Sequence, residues 1–246
     1  MKITDCIWEL ANIGKKTAEI IVEKDDILDR QLLRELDSQY EYQVMKVTSG
    51  NISANFFLEE NGFRLIETQI AIELKYTDFD WTDPLVKYIE PDMVFLDVRT
   101  KEDFESIFER MTPEMFISDR IATDPYFGLD FSYRRYYNWM RTAFENHTAS
   151  FFQMKYKNEL IGFSMYRITG TVWHGDLGGV YPYSGKGLGL LTACAPFLYI
   201  KQRGMKITKL VSAISSNNGP VLPAFNHCHY NFKKFIQVFI KHNDSI

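Results

Sequence analysis

The sequence predicts an α+β protein built on a mixed α/β sheet and arranged in two lobes, and three observations carry the prediction. A strand, a helix and a second strand follow one another early in the chain. Three strands with turn-like spacers read as an antiparallel meander in the second half, and a glycine-rich turn then leads directly into an apolar-faced helix. At 246 residues and 46% hydrophobic composition, the chain can bury a full core and is longer than the commonest domain. Two domains are therefore expected, over residues 1–90 and 91–246.

The residues justify these elements in order. Thr17–Val22 reads as a strand, and ILDRQLLREL as a helix. Tyr42–Thr48 (YQVMKVT) is β-rich, and FRLIETQIAIELK carries Leu65, Thr68, Ile70 and Ile72 in a pattern suited to a half-buried strand. Between these two strands Asn51 can cap a helix, Ala54, Phe57 and Leu58 share its face, and Gly62 stands where such a helix stops. The stretch 75–92 has two prolines, many acids and no sustained periodicity, so it reads as a linker. Beyond it come a strand (MVFLDVR) and a helix with Phe104, Ile107, Phe108 and Met111 at helical spacing. An aromatic helix at about residues 131–145 follows, and then the meander strands SFFQMKY, ELIGFSMYRI and VWHGDLGGVY. Gly178 and Gly179 interrupt the last of these, which predicts a bulge or a close backbone approach there, or sheet curvature alone.

Composition excludes several functions. Lysine and arginine number 28 against 32 acidic residues, and the net charge of −4 leaves no cation excess for a nucleic-acid backbone. No apolar run is long enough to cross a bilayer, and the N-terminus lacks the order of a signal peptide, so a cytoplasmic location is expected and a membrane partner is not. Cys6, Cys194 and Cys228 are odd in number and show no CxxC spacing, which argues against disulfides and a zinc site. His227, Cys228 and His229 are adjacent and point in different directions on a helix, so no metal is expected.

The turn itself is Ser184-Gly185-Lys186-Gly187-Leu188-Gly189, followed by a helix with Leu190, Cys194, Phe197 and Leu198 on one face and Gly204 at its end. Glycines at alternate positions let backbone amides approach an anion, and a helix N-terminus adds unpaired N–H groups and a positive dipole end. The turn serves equally as a tight strand-to-helix connection. It matches neither the dinucleotide GxGxxG spacing nor a P-loop.

With the meander before it, and a strand (KITKLVSAIS), the NNGPVLPAFNHC helix and a final strand (KKFIQVFIKH) after it, this turn resembles the GNAT superfamily of acyl-CoA N-acyltransferases. Gly187 and Gly189 match that family's glycine pattern, and Ser184 departs from its leading Gln or Arg. The chain is most similar to the group of TDP-fucosamine acetyltransferase and its relatives, in which a truncated acyltransferase-like lobe precedes a complete one. Asn51, Ala54 and Gly62-Phe63 repeat the late family spacing without a glycine turn, and Asp119-Arg120, Asp124-Pro125, Tyr137 and Trp139 resemble that group's helix before the meander.

The resemblance implies acetyl-CoA as cosubstrate, with its diphosphate on residues 185–189 and its pantetheine along Gly179, Val180 and Tyr181. Asn218 either touches the cofactor or caps its helix. Acyl transfer to an amine needs a proton acceptor, and His174 and Asp176 share a strand face, either as that base or as a solvated pair. The family's late-helix tyrosine falls on Phe225, which leaves Tyr230, His227 or Tyr183 to serve the departing thiolate, or leaves it unassisted. The implied reaction is transfer of an acetyl group to a small-molecule primary amine, with a nucleotide-linked amino sugar as the leading acceptor. An amino acid, polyamine or peptide terminus is the rival acceptor, and an acyl-CoA-binding or interaction module without turnover is the rival class. A homodimer is one assembly the sequence leaves open.

Overall fold

The computed structural model describes residues 1–182 and 189–243. The first half of the chain runs β1 (Lys2–Asp5), α1 (Ile7–Ile13), β2 (Thr17–Val22), α2 (Arg30–Asp37), β3 (Tyr42–Thr48), α3 (Ile52–Glu60), β4 (Arg64–Lys75) and α4 (Pro84–Ile89). The rest comprises β5 (Met93–Asp97), α5 (Lys101–Phe108), α6 (Arg120–Thr123), α7 (Leu129–Glu145), β6 (Ser150–Tyr156), β7 (Glu159–Thr169), β8 (Val172–Val180), α8 (Gly189–Arg203), β9 (Lys209–Ser215), α9 (Val221–His227) and β10 (Asn231–His242). These strands form one ten-stranded mixed sheet in the order β1-β2-β3-β10-β4-β9-β8-β7-β6-β5. The expected α+β class and the antiparallel meander are both observed.

Local chemistry sets the boundaries. The Asn51 side chain accepts a hydrogen bond from the Ala54 amide at 3.1 Å and so starts α3. Thr100 and Asp103 form a capping box at the start of α5. Lys157 and Asn158, the two residues joining β6 to β7, both take positive φ, the backbone that matches the twist of a two-residue hairpin.

Three sequence expectations need correction. The stretch 75–92 is more than a linker: Pro84 opens α4, Asp83 caps it, and Val86 and Ile89 are buried. Phe79 stacks on Phe197 of α8 at 4.1 Å. A six-residue helix is too short to register as periodicity. In β4, Ile70 and Ile72 are buried, but Leu65, near the start of the strand and beyond the irregularity at Ile66 in its register with β10, is exposed. The bulge in β8 falls at Asp176, where the pairing of Met165 with Leu177 gives way to that of Tyr166 with Gly175. Gly178 and Gly179 pair regularly, and of the readings offered for them the close backbone approach fits, since a Cβ at Gly178 would lie 3.1 Å from the Phe163 carbonyl oxygen.

The C-terminal strand ties the halves together. β10 lies between β3 and β4 and pairs antiparallel with both, while β4 reaches across to β9. Alternation along β6 feeds two opposite faces. Phe152 and Met154 pack with Trp173 and Phe197 on the α8 face, and Phe151 packs with Phe104 and Met140 under α5 and α7.

Asp97, at the end of β5, anchors the far end of α8. Its carboxylate accepts from Arg203 (2.9 Å), Tyr199 (3.0 Å) and Arg99 (2.7 Å). Partial burial pushes its pKa up, but these hydrogen bonds outweigh burial, and the value lies below the usual carboxylate range. A depressed folded-state pKa gives stability that is present above the unfolded value of about 3.9 and lost as pH falls through the folded value. Asp97→Asn is therefore expected to lower stability at pH 7, with the gap to wild type closing toward pH 2 in a series of urea denaturations.

Candidate functional site

The site begins where two parallel strands separate. β8 and β9 pair from Val172 with Lys209 as far as Gly175 with Ser212 and then part, so residues 176–180 present an edge with no strand on the β9 side. The apex is closed by the Ser212 hydroxyl, which donates to the Gly175 carbonyl at 2.8 Å. The corresponding parallel pair in the first half, β2 with β3, stays together over the whole length of β2. Of the two parallel pairs among the described residues, β8–β9 is the one that opens, and a cavity of about 1010 Å³ occupies the opening.

Both faces of the sheet line this cavity. On one side lie Thr192 and Pro196 from the first turns of α8, together with Asn218, Val221, Phe225 and Tyr230. On the other lie Asp119, Arg135, Tyr136 and Trp139 from the α6–α7 region, with Trp8, Glu67 and Gln69 from the first half of the chain. Trp173 stands at the apex, stacked on Tyr166 at 3.7 Å, and its buried indole N–H has no hydrogen-bond partner among the described residues. A buried donor without an acceptor is costly, and it suits a ligand carrying a carbonyl or amide oxygen.

Residues 184–188, the centre of the predicted anion turn, lie outside the described residues, as does Tyr183. Gly189 is the first residue of α8, and its carbonyl accepts from the Thr192 hydroxyl at 2.6 Å. Gly179 lines the cavity beside Met115. Val180 ends β8, and the Tyr181 ring is buried in the α5–α7 cluster, where its hydroxyl donates to Gln153 at 3.1 Å. Asn218 lines the cavity, and its side chain does not cap α9: the N-cap position is Pro220, with no side-chain cap hydrogen bond, and the Asn218 carbonyl accepts from the Val221 amide at 3.1 Å.

The predicted acid–base groups are held in different ways. Asp176 lines the cavity, but both its oxygens are taken by Arg167, at 2.6 and 2.7 Å. His174 lines a separate shallow depression with Glu73 and Lys233, which Asp176 also borders. The Tyr230 hydroxyl lies within the cavity wall and donates to the Ala193 carbonyl at 3.2 Å, and burial holds its pKa well above the usual phenol value. Its ring meets Phe225 edge-on at 4.8 Å, so a phenol stands beside the position where the resemblance places one. His227 pairs with Asp83 at 3.0 Å. Cys194 is buried with its thiol aimed at helix carbonyls, and burial pushes Cys228 up to about 12. Among the described residues no group of three His, Cys, Asp or Glu is placed to hold a metal.

Sequence reasoning missed Glu67, whose buried carboxylate lines the cavity. It lies on β4 among polar residues that resemble a solvent face, but α6 packs across that strand. Asp119, which caps the start of α6, accepts from Ser132 (3.0 Å) and Tyr136 (3.2 Å). No local signal distinguishes a covered polar face from a wet one.

No protein-family model matches the chain, and no curated protein does. Solved structures do. A GCN5-related N-acetyltransferase from Sphaerobacter thermophilus superposes with a TM-score of 0.55 at 11% identity, over 82% of this chain and 60% of that one, so the chain spans three-fifths of that protein's length. A tandem GNAT protein from the clavulanic acid biosynthesis pathway gives 0.55 at 14% identity, over 95% and 77%. A functionally unknown conserved protein from Staphylococcus epidermidis gives 0.60 at 11% identity, over 93% and 85%. The fold is that of the GNAT-like acetyltransferases. No helix among the described residues is long and apolar enough to cross a membrane.

Proposed function

We propose that this protein is an acyl-CoA-dependent N-acyltransferase that moves an acetyl group from acetyl-CoA to a primary amine. The parting of β8 and β9 after Gly175 and Ser212 carries this reading, because it joins the start of α8 to a polar chamber on the opposite face of the sheet. The donor's pantetheine would lie along the free edge of β8, its diphosphate at the glycine turn before α8, and the amine in the α6–α7 chamber. The unpartnered Trp173 indole and the free strand edge fit an amide-rich, extended ligand. A nucleotide-linked amino sugar is the favoured acceptor: Trp8 and Trp139 line the cavity while remaining 52% and 41% exposed, which suits stacking against a base or sugar ring.

A second reading, acyl-CoA binding without turnover, draws on the arrest of Asp176 by Arg167 and of the Tyr230 hydroxyl by Ala193. Calorimetry with coenzyme A, beside a thiol-release assay with acetyl-CoA and a panel of amino sugars, amino acids and polyamines, separates the two. Tight binding with no release favours the second, and no binding refutes both. Gly187→Glu is expected to abolish measurable coenzyme A binding, since it sets a carboxylate in the turn assigned to the diphosphate. Unchanged affinity by calorimetry would show that the diphosphate binds elsewhere.

A further inference from the structure

Among the described residues five carboxylates line the cavity, and four are already matched. Glu19 pairs with Lys46 at 2.9 Å, Asp176 with Arg167 at 2.6 Å and Glu145 with Arg141 at 2.9 Å. Asp119 accepts the Ile121 amide, the Ser132 and Tyr136 hydroxyls, and lies 4.0 Å from Arg135. Glu67 differs. Its residue is only 6% exposed, it forms no ion pair among the described residues, and its one side-chain partner is the neutral amide of Gln69, at 2.9 Å.

A carboxylate removed from water with so little compensation costs stability, and the missing partner is a cation. Its surroundings allow one. Lys46, Arg120 and Arg135 share the cavity wall, but Lys46 is committed to Glu19, and both arginines to Glu9 at 3.2 and 2.7 Å. Among the described residues, the chamber of the proposed amine acceptor thus holds a buried carboxylate without a counter-ion.

Resting on the acyltransferase reading, we infer that Glu67 binds the acceptor's ammonium group and takes its proton, directly or through one water. The acceptor arrives as an alkylammonium ion. One N–H proton passes to a Glu67 carboxylate oxygen, the freed nitrogen lone pair forms the C–N bond to the thioester carbonyl, and the C–S bond breaks. The second proton of the acylated nitrogen passes, directly or through water, to the departing thiolate, leaving an amide, a free thiol and a protonated Glu67 that releases its proton to solvent. Because β4 supplies this residue, the acceptor site belongs to both halves of the chain.

The test compares wild type with Glu67→Gln in three measurements: coenzyme A affinity by calorimetry, thermal unfolding without ligand, and kcat/KM for the best alkylamine in the panel and for a hydrazide of matched shape, which is neutral at the assay pH. The expected result is unchanged coenzyme A affinity, an unfolding temperature equal to or above wild type, and kcat/KM for the alkylamine down by on the order of 100-fold or more, with a much smaller loss for the hydrazide. A purely structural Glu67 would instead lower the unfolding temperature and affect both acceptors alike. That outcome, or an unchanged kcat/KM for the alkylamine, overturns the assignment and leaves the acyltransferase reading standing. Failure of the wild type to bind coenzyme A or to acylate any amine overturns the acyltransferase reading itself, and this assignment with it.

Discussion

Glu9→Ala is expected to destabilise the protein by about 3–5 kcal/mol, because it strands a buried guanidinium. Glu9 lies on α1 and is almost wholly buried; it accepts from Arg120 of α6 at 3.2 Å and from Arg135 of α7 at 2.7 Å. Arg120 is itself buried. Burial acts to discharge it, but the Tyr42 oxygen and the carboxylates of Asp119 and Glu9 outweigh burial and hold its pKa above the usual value. Removing one anion therefore leaves a charge that cannot be shed. The same contact joins α1 to the helices that roof the acceptor chamber, and Asn12 reinforces it by accepting from Arg134 at 2.8 Å and from Asn138 at 2.9 Å. Urea denaturation checks the figure, and the double variant Glu9→Leu with Arg120→Met should recover much of the loss, since it removes both charges together. A cost below about 1 kcal/mol for Glu9→Ala would mean that Asp119 and Tyr42 suffice for Arg120.

The elements of this fold were legible where local chemistry and periodicity agree. β3, the Asn51 cap, the aromatic α7 and the meander all follow from spacing that a single segment carries. What stayed hidden depends on pairing between distant segments. Nothing in KKFIQVFIKH says that this last strand inserts between β3 and β4, yet that insertion brings β4 beside β9 and Glu67 into the chamber. The cleft shows the same division. The glycine turn suggests an anion site by its pattern and its centre lies outside the described residues, whereas the point at which β8 and β9 part falls at a bulge at Asp176 that the glycine pair two residues later obscured. His174 and Asp176 looked like a candidate base pair by their spacing, but Arg167 lies opposite His174 and turns its guanidinium onto Asp176, a contact that only the β7–β8 register determines.

Gly162→Val should be the most disruptive change at the cleft itself. A Cβ at this position would lie 2.2 Å from the Gly179 carbonyl oxygen and 2.7 Å from the terminal methyl of Met154. The methyl can swing away, but the carbonyl belongs to the backbone of β8, directly behind the free edge assigned to the donor. Relief therefore requires β7 and β8 to separate where Gly162 faces Val180 and Phe163 faces Gly179. Overpacking of this kind costs about 3 kcal/mol or more, and the displaced edge should also weaken coenzyme A binding in whatever fraction folds. Gly219→Ala supplies the contrast: an added Cβ meets nothing within 4 Å there, so its stability should stay within about 0.5 kcal/mol of wild type. If urea denaturation and calorimetry found Gly162→Val as stable and as competent to bind coenzyme A as Gly219→Ala, the close approach of β7 to Gly179 would not be what shapes the cleft.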